Sequence, residues 1–285
     1  MSTQAASVTV VQTESERLTQ YLAALPEEAW SRPSACTLWE VRDVVAHLID
    51  GANAYIDWIT RGLQGDTSAP TGWPAPGTFT TASPVQRQQM EAAMAQSAVT
   101  LRERLGTALL DVFRTAWIQY NQLVANLKAH EWHTPCYYPL GLKPVRVLVN
   151  AAIFELAIHG WDIRSVLEPS ARLSPEALAV MPDYFAECLG WFFRPGPRLP
   201  TPIRYRFACT GTLNSQWDMV VAGDTAYLES AAEATPANVT FCCEVETFTL
   251  LLCGRRGFEA AMGARQVISE GDMALVQAFK QWFQL

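Results

Sequence analysis

Apolar residues recur at helical spacing through four stretches in the first two thirds of the chain. Leu18, Tyr21, Leu22 and Leu25 predict a helix over residues 13–25, stopped by Pro26. Val41, Val44, Val45, Leu48, Ala52, Tyr55, Ile56 and Ile59 predict a second, ending near Gly62. Its start is read as a capping box in Thr37-Leu-Trp-Glu40, the threonine accepting from the backbone and the glutamate reaching back. Leu109, Leu110, Phe113, Trp117, Tyr120, Leu123 and Leu127 predict a third helix over 107–128, and a fourth runs from Pro144 to Val166. Between the second and third, residues 63–84 are rich in Pro, Gly, Thr and Ser and read as a long surface loop, a candidate lid. Residues 85–104 read as a polar helix.

A short internal repeat organises these helices. Leu25 and Trp30-Ser-Arg-Pro33 match Leu127 and Trp132-His-Thr-Pro135, and each is followed by a helix opening on Val-Arg, at Val41-Arg42 and Val145-Arg146. Two similar helix-loop-helix units imply a four-helix bundle with approximate two-fold symmetry over residues 1–194. Pro195–Pro202 reads as a linker. Beyond it the period changes to that of strands, at 203–209, 217–221, 226–229 and 239–243, followed by helices at 246–253 and 272–283. The fold class is therefore α+β, a helical bundle and then a small α+β domain over 201–285.

Composition narrows the partners. Apolar residues at 49% and charged residues at 17% of 285 describe a folded chain with a sizeable core. A net charge of -7 argues against nucleic acid, whose phosphates call for a basic face. No apolar run is long enough to span a membrane, and the first ten residues lack the basic and apolar pattern of a signal peptide, so a cytoplasmic protein is expected. The seven cysteines make no CxxC spacing and read as reduced, packed thiols, including Cys36 and Cys136, which flank the chemistry-bearing helices.

Only four histidines occur, and two fall inside apolar helical patterns. A polar ring there needs a partner, and a metal is one. Glu155 and His159 are four apart and share a helix face; His47 stands alone on the second helix, with Gly51 leaving room beside it. The symmetry of the repeat places these two helices in equivalent positions, so the set His47, Glu155, His159 is the candidate ligand set for a divalent cation with one place left open. Asp43 and Asp162 lie one turn from the two histidines and are candidate acceptors that orient the imidazoles; for Asp162, near a helix end, a surface carboxylate is the favoured reading. His130 and His133 flank Trp132 in a loop and are weak ligand candidates.

The segments Pro33-Ser-Ala-Cys-Thr-Leu-Trp-Glu-Val-Arg-Asp-Val-Val-Ala-His-Leu48 and Phe154-Glu-Leu-Ala-Ile-His-Gly-Trp-Asp-Ile163 resemble the mycothiol-dependent maleylpyruvate isomerase group of the DinB-like superfamily. The C-terminal part, with Pro236-Ala-Asn-Val-Thr-Phe241 and Leu252-Cys-Gly-Arg255, looks like the domain that accompanies it and is similar to sterol carrier folds. The resemblance implies a DinB-like bundle with a divalent metal, usually zinc, on the residues matching His47, Glu155 and His159. It implies mycothiol as cosubstrate, and isomerase or thiol S-transferase activity on a small electrophilic metabolite, in catabolism or in natural-product sulfur incorporation. The chain departs from the usual pattern in the 63–84 loop and in the apolar Phe154 and Leu156 around the glutamate. Arg265 is the expected clamp for a substrate carboxylate, in a cleft between the two domains. The alternatives are a binding module that holds an apolar ligand without catalysis, and a metal-dependent hydrolase.

Overall fold

The computed structural model describes residues 3–194, 201–211, 213–232 and 234–283. Most of the linker expected at Pro195–Pro202 lies outside the described residues. The chain divides into two compact units, Met1–Ala177 and Leu178–Leu285.

The first unit is helical. It contains α1 (Thr3–Ala23), α2 (Val41–Leu63), α3 (Thr78–Thr81), α4 (Pro84–Leu105), α5 (Leu109–Ala125), a two-residue ladder β1 (Pro135–Cys136) with β2 (Lys143–Pro144) and α6 (Val145–Arg164), and the short α7 (Pro175–Leu178) straddles its end. Helices α1, α2, α5 and α6 form the bundle, with α2 packed on α5 and α6 and α1 on the same two; α4 lies along α2. α1 begins about ten residues earlier than its apolar period predicts. Its buried stripe is Ser7, Val11, Glu14, Ser15, Leu18 and Leu22, so half of the inward positions are polar and hide the pattern. Each polar intruder named next has a partner: Glu14 accepts from Ser174 Oγ at 2.7 Å, and Ser15 Oγ accepts from Asn121 Nδ2 at 2.9 Å. α6 is buried on nearly every side, consistent with its continuous apolar run.

The repeat seen in the sequence is a repeat of structure. Trp30 and Trp132 each sit in a 3-10 turn, at Glu27–Ser31 and Glu131–His133. After each, a short antiparallel pairing closes a loop onto the next helix, Pro33 with Glu40 in one half and Pro135 with Pro144 in the other. The first helical residue then donates back across that loop, Val41 N to Arg32 O at 2.9 Å and Val145 N to Thr134 O at 3.0 Å. These closures set the start points of the two helices that carry His47 and Glu155.

α2 consequently starts at Val41, not at the expected Thr37 box. Residues 34–39 are used instead for a turn, with Trp39 N donating to Cys36 O and Ser34 N to Trp39 O, both at 2.9 Å. The N-cap is Glu40, whose own N–H donates to the Asp43 carboxylate at 3.0 Å. The 63–84 region is anchored rather than loose. Trp73 packs edge-on against Trp58 at 4.9 Å, Tyr137 Oη donates to Pro74 O at 2.7 Å, and α3 forms within it. At its root Gly62 is required, because a Cβ there would overlap Cys136 Sγ and stand 3.0 Å from Pro135 O.

The second unit opens with α8 (Met181–Phe192), a helix the sequence reading placed with the bundle, up to residue 194. It belongs here because it packs on the sheet's edge strand and sets Phe185 against Phe248. The sheet contains β3 (Ile203–Thr210), β4 (Ser215–Ala222), β5 (Thr225–Ser230), β6 (Val239–Glu244) and β7 (Val267–Gly271), in the order β5-β4-β3-β6-β7. All pairings are antiparallel except β3 with β6. Helices α9 (Val245–Leu252), α10 (Phe258–Gly263) and α11 (Met273–Phe283) complete it. Alternation puts Tyr205, Phe207 and Phe241 on one face, where Phe279 of α11 meets all three rings within 5.6 Å. α10 and β7 are short elements that the sequence reading did not name. No described helix is long and apolar enough to cross a membrane.

Candidate metal centre

His47 projects from the second turn of α2, and Glu155 and His159 from the middle of α6, the two helices that the repeat makes equivalent. They meet. His47 Nε2 and His159 Nε2 each lie 3.2 Å from the same Glu155 oxygen, Oε2. One donor atom from each of the three residues lies within 4.8 Å of the other two. The side chains of His47 and Glu155 are 23% and 22% exposed, whereas that of His159 is 10% exposed, so the group opens on one side only.

Asp162 is not the surface acid that its position near the helix end suggested. It is fully buried, with Oδ2 2.9 Å from His159 Nδ1. Three residues along a helix is the spacing that lets one side chain hold the other. Burial pushes the His159 pKa down, but the hydrogen bonds to Asp162 and Glu155 outweigh it and raise the value to about 9. Burial pushes Glu155 up, but two imidazoles on one carboxylate hold it far below the usual carboxylate range.

Asp43 does not orient His47. Its carboxylate caps α2 through Glu40 N and pairs with Arg102 Nε of α4 at 2.9 Å. Helical side chains lean towards the N-terminus, which carries Asp43 to the helix start and away from the imidazole one turn on. His47 is positioned by an aromatic surface that the sequence reading missed. The Trp39 ring lies 4.7 Å from the His47 ring and 5.8 Å from that of His159, and its Nε1 donates to Ala95 O of α4. A tryptophan eight residues before a helical histidine carries no period, so only the turn at 34–39 reveals it. That turn also brings in Cys36, whose Sγ, a ring nitrogen of His159 and a carboxylate oxygen of Asp162 lie within 4.8 Å of one another. His130 and His133 remain in and beside the 3-10 turn around Trp132 and are in neither donor cluster found among the described residues. Arg265 lies in the second unit just after α10, exposed, with its backbone at φ 57 and its N–H bonded to Met262 O at 3.0 Å.

The donor set fits a divalent cation. Two Nε2 atoms and a carboxylate oxygen converge, and the Nδ1 proton of His159 has its own acceptor in Asp162, which leaves the Nε2 lone pair for a ligand bond. Fold and donor set together define a helical-bundle protein with a candidate metal centre and an appended sheet domain. The chain belongs to the family described as the mycothiol maleylpyruvate isomerase N-terminal domain, whose model matches residues 11–164. It is similar over 95% of its length to the crystal structure of the mycothiol-dependent maleylpyruvate isomerase, covering 94% of that chain at 13% identity with a TM-score of 0.57. A histidine-to-alanine variant of that enzyme matches with the same coverage, 12% identity and a TM-score of 0.58. At this identity the likeness speaks to the fold. A comparison with curated proteins gives no match.

Proposed function

We propose that the protein is a metal-dependent enzyme that uses a low-molecular-weight thiol, mycothiol, to isomerise a small electrophilic metabolite or to transfer the thiol onto it as an S-transferase. The observation that carries this is the convergence of two imidazole Nε2 atoms on one carboxylate oxygen at 3.2 Å, with the deeper imidazole held by a buried aspartate. His47, Glu155 and His159 would hold the cation, zinc being the metal such ligand sets commonly take. A cation held there would supply the positive charge that favours the thiolate form of a bound thiol at neutral pH.

The remaining work falls to the chain's own side chains. Asp162 keeps a proton on His159 Nδ1 and fixes the ring's direction. Trp39 packs beside both imidazoles, which restricts how the two rings can turn. In the reaction, thiolate sulfur bonds to an electrophilic carbon. For an unsaturated acid, the former double bond becomes single and rotates, and loss of sulfur returns the thiol with the other geometric isomer. For a carbon bearing a leaving group, the carbon–sulfur bond forms as the leaving group departs with its bonding electrons, and a thioether results.

The test is metal analysis of the purified protein together with product analysis with and without mycothiol. About one divalent ion per chain, lost in His47→Ala, and products formed only with thiol are the expected results. Unchanged metal content in His47→Ala removes the centre. Turnover with water alone makes the protein a hydrolase, and ligand retention with neither metal nor turnover makes it a binding module.

A further inference from the structure

We propose that Asp50 is the positioning residue of His47: when Nε2 of that ring takes up the cation, the Asp50 carboxylate leaves Ser97 and accepts the proton on Nδ1. The inference rests on the metal-dependent reading above.

The chain carries the same unit twice, His47-Leu-Ile-Asp50 on α2 and His159-Gly-Trp-Asp162 on α6. The internal repeat makes these two helices equivalent, and both histidines turn Nε2 to one oxygen of Glu155 at 3.2 Å. On α6 the aspartate of the unit holds Nδ1 at 2.9 Å. An aspartate three residues after a helical histidine leans back over the turn of the ring, because side chains tilt towards the helix N-terminus. Asp50 has that placing on α2. Its Oδ2 instead accepts from Ser97 Oγ of α4 at 3.2 Å, and among the described residues no hydrogen bond reaches His47 Nδ1.

The place of the ring proton accounts for this. A neutral imidazole carries one N–H, and an ionised carboxylate only accepts. With Nε2 against the Glu155 carboxylate, the His47 proton sits on Nε2, and Nδ1 presents a lone pair that a second carboxylate avoids. A cation needs the Nε2 lone pair, so the proton moves to Nδ1, and an N–H there calls for an acceptor. One proton changes nitrogen, the ring stays neutral and the carboxylate stays ionised, so the net charge of the pair is unchanged. Asp50 is half-buried and already within the field of the ring: burial raises its pKa, and the Ser97 hydrogen bond, His47 and Arg104 pull it down. Ser97 lies two residues after Ala95, whose carbonyl accepts from Nε1 of Trp39, the ring beside His47. One turn of α4 thus holds both neighbours of the His47 imidazole.

The test uses full-length protein labelled with ¹⁵N at histidine, of which there are four, with and without one equivalent of Zn²⁺. Long-range ¹H–¹⁵N spectra report, ring by ring, which nitrogen carries the proton. The expected result is a His47 proton on Nε2 before Zn²⁺ and on Nδ1 after it, there exchanging slowly with water. In Asp50→Ala the Nδ1 proton exchanges fast, and Zn²⁺ affinity from chelator competition falls about 10- to 100-fold. Asp50→Asn, which keeps the size of the side chain, loses affinity in the same direction and serves if the alanine variant does not fold. Ser97→Ala frees the carboxylate, so it keeps the slow signal and the affinity. Equal losses in Ser97→Ala and Asp50→Ala reduce Asp50 to a contact between α2 and α4 and overturn the proposal. Wild-type affinity in the Asp50 variants, or a Zn²⁺-loaded wild type with no slowly exchanging proton on His47 Nδ1, also overturns it while leaving the metal centre standing. Failure of the wild type to bind Zn²⁺, or equal binding by His47→Ala, overturns the metal-dependent reading and this inference with it.

Discussion

Replacing Asp162 by asparagine separates two opposed effects of one buried charge. The carboxylate holds His159 Nδ1 at 2.9 Å and leaves Nε2 facing Glu155. An amide can turn its NH2 to Nδ1 instead, which moves the ring proton to Nε2, the atom a cation needs. Loss of such an orienting partner weakens metal affinity about 10- to 100-fold. The same carboxylate also raises the His159 pKa, to about 9 together with Glu155. Below that pH the imidazole holds its proton in the metal-free chain, and the proton competes with the metal. At pH 7 that competition amounts to about two orders of magnitude for a group two units above ambient pH. Removing the charge relaxes the competition and offsets the orienting loss. The expected outcome is therefore a small affinity change at pH 7 and the full loss near pH 10, where the wild-type ring has given up its proton. Affinity is measured by competition with a chromophoric chelator from a buffered metal stock. Linkage adds a control in metal-free protein. A raised folded-state value contributes stability that is fully present below the unfolded value near 6.5 and lost as pH rises through about 9, so the variant is destabilised most at the acid end. Equal affinities of variant and wild type near pH 10, or a larger loss at pH 7 than at pH 10, refute the orienting role.

Gly62→Ala forces a methyl group into Cys136 Sγ and Pro135 O, and is expected to destabilise the bundle by about 3 kcal/mol in denaturant melts, with partial rescue by Cys136→Ala. Asp218 is fully buried between Arg204 and Arg206; burial raises its pKa, but the two guanidinium groups overcome this and hold it low. A lowered folded-state value contributes stability present above the unfolded value near 3.9 and lost as pH falls through the folded one, so Asp218→Asn should flatten the acid limb and cost about 3 kcal/mol at neutral pH. Arg265→Gly relieves a left-handed backbone at φ 57, so stability in denaturant melts should hold or rise by about 0.5 kcal/mol.

What could be read before the structure was whatever repeats. The stripes of α2 and α5 repeat every three to four residues, and Glu155 with His159 on α6 is itself one period, so the meeting of these three residues was legible once the Trp30 and Trp132 repeat paired the two helices. What was lost is non-periodic or depends on partners distant in sequence. The start of α1 was hidden because Ser7, Glu14 and Ser15 occupy inward positions, and Ser174 and Asn121, which meet Glu14 and Ser15, lie over a hundred residues away. Asp43 and Asp162 looked alike in sequence, each one turn from a histidine, yet only one reaches the ring. Asp162 follows His159 by three residues and points back along the helix to it. Asp43 precedes His47 and points back too, which takes it to the helix start and to Arg102. A carboxylate one turn after a helical histidine is thus placed to hold it, and one a turn before is placed to cap the helix. Spacing without chain direction cannot separate those two roles, and direction alone is enough to assign both.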